Sequence, residues 1–141
     1  MLLEGVMGAA MTARGREVKI SIQRSAAEAY EFLSVPENFP KWASGLGKSL
    51  QKVDGEWIAQ TAAGPVRVLF SEANTFGVLD HSVIRQDGTG AYVPLRVVPK
   101  GTGCELVLTL VREPGMSDEK FAADADCVMR DLQAAKHLLE R

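Results

Sequence analysis

Little in this sequence points to a specialised chemistry, and each shortage excludes something. Cysteine is scarce: Cys104 and Cys127 stand far apart with no C-x-x-C between them, so neither a zinc site nor a disulfide framework is expected, and a reducing, cytoplasmic setting fits. There is no basic run; 16 basic and 18 acidic side chains are scattered over the chain for a formal charge of −2, which removes the electrostatic footprint of a nucleic-acid or anionic-lipid partner. Long hydrophobic runs are missing too. The opening Met1–Gly15 is interrupted by Glu4 and carries no basic segment ahead of its apolar part, so it fails as a signal peptide or a membrane span. It is expected to be a flexible leader over residues 1–15, followed by one domain over 16–141. No Ser-His-Asp elbow, phosphate-binding loop or zinc signature occurs, and neither a cofactor nor a metal is expected. Asp124 and Asp131 lie seven residues apart, but without a third ligand at suitable spacing they read as a solvated helix border.

What is present is ordinary globular material. The 141 residues are 46% hydrophobic and 24% charged, enough for one core without staples. Val18, Ile20 and Ile22 alternate with Lys19, Ser21 and Gln23, the period of a strand with one buried face. Ser25, with Glu28 three residues on, forms the capping box of a short helix that Pro36 closes. The segment Glu37–Trp42 suits a second helical turn carrying Phe39 and Trp42, and Gly45 and Gly47 then release the chain. Six further strands are expected at 49–53, 57–61, 66–72, 78–84, 91–98 and 104–112, separated by glycine turns such as Asp54-Gly55 and Asp87-Gly88-Thr89-Gly90.

The tail carries the clearest periodicity. Phe121, Ala125, Val128, Leu132, Ala135 and Leu139 recur at alternating spacings of four and three, a one-sided apolar stripe on a long helix. Ser117 is its expected N-cap, with Asp118 and Glu119 at the end where the helix dipole favours carboxylates. A meander with one apolar face needs a cover, and only this helix is long enough. The fold class expected is therefore α+β: a curved antiparallel sheet of six or seven strands around a long C-terminal helix, with two short helices after the first strand and an apolar cleft between sheet and helix.

That element order resembles the START-like, or SRPBCC, superfamily with its helix-grip fold. The stretches Ile20-Ser21-Ile22, Ala29-Tyr30-Glu31-Phe32-Leu33 and Phe39-Pro40-Lys41-Trp42 look like the opening of that superfamily, which includes polyketide cyclase/dehydrase-like proteins. Gly77-Val78-Leu79-Asp80-His81 followed by Pro94-Leu95-Arg96-Val97-Val98 looks like an uncharacterised bacterial subgroup. The resemblance implies a cavity for a small hydrophobic ligand such as a lipid, quinone or polyketide-like molecule. Some members are cyclase-, dehydratase- or hydrolase-like enzymes and others cochaperone-like interaction modules.

Pockets are lined mainly by apolar and aromatic groups, so Phe32, Trp42, Trp57, Phe70, Tyr92, Phe121 and Met129 are the expected ligand contacts, with His81 and Arg96 as polar ones. Parity splits the polar candidates. His81 shares a face with Leu79 and Val83, and Asp80 with Val78 and Ser82. Arg96 shares one with Tyr92 and would grip a ligand's carboxylate only if that face is concave. Catalysis by Asp80 or His81 with Arg96 requires all three to converge in the cavity. No catalytic residue is assigned, and nothing in the sequence argues against a homodimer.

Overall fold

The computed structural model describes residues 15–44, 50–61 and 64–141. The expected leader, apart from Gly15, and the Gly45 and Gly47 release lie outside the described residues. The elements are β1 (Gly15–Ile22), α1 (Ala26–Leu33), a 3-10 helix (Pro36–Lys41), β2 (Gln51–Val53), β3 (Glu56–Thr61), β4 (Gly64–Phe70), β5 (His81–Ile84), β6 (Gly90–Val93), β7 (Leu95–Lys100), β8 (Gly103–Val111) and α2 (Asp118–Glu140).

All strand pairings are antiparallel, in the orders β1-β8-β7 and β2-β3-β4-β5-β6. The expected strand at 91–98 is split at Pro94, which has no N–H to give a ladder. Its first half pairs with β5 and its second with β8. The expected strand at 78–84 is also shorter, beginning at His81. Before it, Asn74 captures the backbone: its Oδ1 accepts from the N–H groups of Phe76 and Val78, and its Nδ2 donates to the carbonyls of Glu72 and Val78. Side-chain bonds of this kind compete with the ladder and hold a turn instead. The 77–79 segment then runs along the free edge of β7, with Val97 N–H to the Gly77 carbonyl and Leu79 N–H to the Leu95 carbonyl. The two strand groups thereby meet in one curved surface.

Register puts one continuous apolar face on the inside. Val68 opposes Val83, Phe70 opposes His81, His81 opposes Val93, Leu95 opposes Leu108, and Val18 opposes Leu108 from the other side. The capping box at α1 forms as expected, with Glu28 N–H to Ser25 Oγ at 3.1 Å and Ser25 N–H to Glu28 Oε1 at 3.3 Å. Ser117 Oγ caps α2 by accepting from Lys120 N–H.

α2 lays its stripe on the inner face. Ala125, Leu132 and Ala135 are buried in one cluster with Val18, Ile22, Leu95, Leu106 and Leu108, while Val128 and Leu139 pack at its margin. Its far end is tied to the end of β1: Lys136 Nζ donates to the Ser21 carbonyl, Gln23 N–H to Glu140 Oε2, and Arg24 Nε to the Leu139 carbonyl, each at 2.7 Å. The Arg24 bond satisfies a carbonyl that the helix end leaves without an intrahelical partner.

Gly77 marks the tightest approach in the seam. Its φ is +74°, and a Cβ there would sit 2.3 Å from the Val97 carbonyl oxygen. Gly77→Ala is expected to lower stability by more than about 1 kcal/mol in urea denaturation, since both conformation and space exclude the methyl group; unchanged stability would contradict this account of the seam.

Candidate functional site

The 3-10 helix delivers Phe39 and Trp42, three residues apart, to the same side, where both bury at the concave centre of the sheet. Phe39 is the hub. Its ring meets those of Trp42, Phe70 and His81 edge-on, with centroids 5.3, 5.4 and 5.3 Å away, the geometry that pairs a ring's positive edge with a neighbour's negative face.

Two cavities flank this cluster. One, of about 170 Å³ and open on one side, lies between the cluster, the sheet and α2, lined by Phe39, Trp42, Ala43, His81, Leu108, Val128 and Asp131. The other, of about 80 Å³, lies on the α1 side between Tyr30, Leu33, Phe39, Trp42, Phe70, Leu79, His81 and Leu95. An open groove of about 710 Å³ runs between α1 and the Asn74–Gly77 turn over Val97 and Pro99, with Phe76 exposed at its side.

His81 is the titratable side chain buried at this centre. Burial pushes its pKa below the ordinary imidazole value, against weaker opposing contributions from the Leu79 carbonyl and the Asp80 charge, so the ring is neutral at pH 7. Nδ1 lies 3.2 Å from the Leu79 carbonyl oxygen. A carbonyl only accepts, so the proton sits on Nδ1 and Nε2 presents a lone pair. Trp42 is the complement: its indole Nε1–H is the one buried side-chain polar atom without a hydrogen-bond partner among the described residues.

Asp80, next in sequence, turns to the opposite face. Its carboxylate takes Arg96 in a two-pronged pair, Nε to Oδ1 at 2.9 Å and Nη2 to Oδ2 at 2.8 Å, and also accepts from the Leu95 N–H at 2.9 Å and from the Tyr92 hydroxyl. The Arg96 hydrogen bonds, helped by Tyr92 and the Leu95 amide, hold Asp80 far below the usual carboxylate range although burial opposes this. Arg96 and Tyr92 are about half exposed, so the cluster staples the outer side of the seam between β5, β6 and β7.

This corrects the expectation that Arg96 and Tyr92 line the cleft. Leu95 and Val97 point inward, and strand alternation sends Arg96 outward. The convergence of Asp80, His81 and Arg96 that catalysis required is absent for the same reason.

Of the other candidates, Trp42, Phe70 and His81 line the interior cavities. Trp57 sits one step out, 6.3 Å from Phe70 by ring centroids and in a second cluster with Ala59, Val66 and Val68. Phe32 and Met129 pack at the margin of the main core. Phe121, at the start of α2, lies under the Arg112 guanidinium at 5.5 Å. None of these last four lines either cavity. Asp124 pairs with Lys120, and Asp131 accepts from the Ser44 N–H and hydroxyl at 3.2 and 2.6 Å; no cluster of metal-ligating side chains occurs among the described residues. Ala43, Leu108 and Val128 line the larger pocket but were absent from the expected set, and the i,i+3 spacing of Phe39 and Trp42 brings both aromatics to it.

Two pH dependences follow. His81 has a depressed folded pKa, so the unfolded chain takes up its proton first; stability is full above about pH 6.5 and falls as pH drops below it. His81→Phe is expected to remove that decline from urea titrations between pH 7 and 5, and an unchanged slope would count against a buried neutral ring. Asp80 stabilises the fold fully above its unfolded value near pH 4, and the contribution is lost as pH falls from there toward its folded value. Asp80→Asn should cost about 2 kcal/mol at pH 7, chiefly through the lost charge-assisted hydrogen bonds because water screens the half-exposed Arg96, and the gap to the parent should close toward pH 2.

No protein-family model matches the sequence, and no curated protein matches it. Solved structures do. An uncharacterised protein from Bacillus thuringiensis superposes with a TM-score of 0.69 at 10% identity, over 90% of this chain and 99% of that one. A START superfamily protein from Mycobacterium smegmatis gives 0.62 at 14% identity, over 90% and 97%. A truncated norcoclaurine synthase from Thalictrum flavum gives 0.59 at 17% identity, over 91% and 94%. With a curved antiparallel sheet closed on a long C-terminal helix and these structures superposing along nearly their whole length, the chain has a helix-grip fold, the fold it shares with a START superfamily protein.

Proposed function

We propose that this chain binds a small, mostly apolar molecule in the interior between the sheet and α2, and that binding rather than catalysis is its activity. The observation that carries the reading is the cavity of about 170 Å³ at the centre of the concave face, bounded by aromatic and aliphatic side chains from the 3-10 helix, the sheet and α2. The structures that share the fold include a START superfamily protein and norcoclaurine synthase, so the fold accommodates chemistry as well as other roles, and residues of this chain must decide between them. Here the imidazole faces inward while the carboxylate and guanidinium pair on the outer side, and Asp80 is fully engaged by Arg96, Tyr92 and Leu95. That arrangement favours a receptacle over a proton-transfer site.

Size narrows the ligand. An apolar cavity of about 150 Å³ takes benzene, whereas sites for drug-sized ligands run from about 300 Å³ upward. The pocket of about 170 Å³ therefore matches a single ring, including that of a simple quinone, and a lipid chain or fused polyketide would extend beyond it.

A ligand that binds only the folded chain raises its stability in proportion to the logarithm of concentration. Benzene, toluene and a single-ring quinone are expected to raise the Tm in a concentration-dependent way. Val128→Phe, which fills the cavity from α2, is expected to remain folded and to lose the shift. No shift with any single-ring compound, or an undiminished shift in Val128→Phe, would remove this cavity as the site.

A further inference from the structure

We propose that the larger cavity selects a single-ring ligand carrying a basic amine on a short arm, with the ring inside and the ammonium group at the open side on the carboxylate of Asp131. This rests on the reading of that cavity as a ligand site and adds the charge of the ligand and the residue that reads it.

Exposure locates the open side. Phe39, Trp42, Ala43, His81 and Leu108 are buried, whereas Val128 and Asp131, which complete the lining, are only partly so. Those two lie three residues apart on one face of α2, so the mouth runs along the helix and Asp131 stands at it. Ser44 fixes the carboxylate there: its N–H and hydroxyl both donate to Oδ1, at 3.2 and 2.6 Å, from the position next to the lining residue Ala43. Oδ2 has neither a hydrogen bond nor an ion pair among the described residues.

The chain supplies no cation to that oxygen. On a helix, residue 131 meets positions 127, 128, 134 and 135, and these are Cys127, Val128, Ala134 and Ala135. Arg130, beside it in sequence, donates to Cys127 Sγ instead. Asp124, seven residues earlier on the same side, does have a partner in Lys120. No lysine or arginine lines the cavity, and His81 within it is neutral. A fixed negative charge beside apolar walls, without a counter-charge, attracts a cation and repels a ligand carboxylate. The ammonium group keeps water on the open side while the ring leaves water for the interior, so little desolvation cost opposes the pair.

The test compares benzylamine, benzyl alcohol, toluene and benzoate by calorimetry on the full chain at pH 7. At low salt benzylamine is expected to bind about fivefold tighter than benzyl alcohol, the worth of one charge-assisted contact that water partly screens. Added sodium chloride should shrink that advantage and leave toluene unaffected. Benzoate is expected not to bind. Asp131→Asn keeps an acceptor for Ser44 and removes the charge; it should abolish the preference for benzylamine and leave toluene unchanged. The salt dependence in the parent chain decides the assignment even if Asp131→Asn fails to fold. If toluene binds but benzylamine has no advantage over benzyl alcohol, or keeps it at high salt or in Asp131→Asn, or if benzoate binds equally well, the amine assignment is overturned while the cavity reading survives. If toluene, benzyl alcohol and benzylamine all fail to bind, the cavity reading itself fails and takes this inference with it.

Discussion

The apolar stripe of α2 and the concave side of the sheet are each unsupportable in water alone, and their mutual burial organises everything else. Leu132, Ala125 and Ala135 sit in one cluster with residues of β1, β7 and β8, at roughly 25 cal/mol for every Å² of apolar surface removed from water. α2 packs on β1 and β8, and space is left toward His81 at the start of β5. The 3-10 helix inserts Phe39 and Trp42 there, and what they do not fill becomes the two cavities. The site is thus a by-product of how the core closes.

The two faces of the sheet divide the polar chemistry. Asp80, Arg96 and Tyr92 meet on the outside at the point where Pro94 interrupts the ladder, and their hydrogen bonds brace a seam that backbone pairing alone leaves thin. On the inside, His81 and Trp42 are the polar groups among aromatic neighbours, and each has one hydrogen-bonding valence left open. Two adjacent residues, Asp80 and His81, therefore serve opposite ends: one rigidifies, the other faces the cavity. Strand alternation alone produces that separation.

The order of elements could be read along the chain, because each has a local cause. The β1 alternation, the Ser25–Glu28 capping box, the Ser117 cap and the four-three spacing on α2 all appear where expected. Pro94 and Asn74 shortened two strands, and neither effect is periodic; a missing N–H and a side chain that outbids the ladder act at single positions. The opposition of Asp80 and His81 was also legible, since parity needs no partner strand. Which parity faced inward was not. Arg96 and Tyr92 entered the expected site on the wrong face, and Phe32, Trp57, Phe121 and Met129 entered it on composition.

The sequence by itself determined the secondary elements, their order, and the need for one helix to cover one sheet, because propensity, capping and hydrophobic period are properties of neighbours along the chain. Tertiary structure alone decided which side of the sheet is concave, that Arg96 closes on Asp80 instead of facing a cavity, and that Trp42 buries its N–H beside His81. Those facts depend on register and curvature, which arise only when residues distant in sequence, such as Phe70 and His81 or Leu95 and Leu108, come to lie side by side.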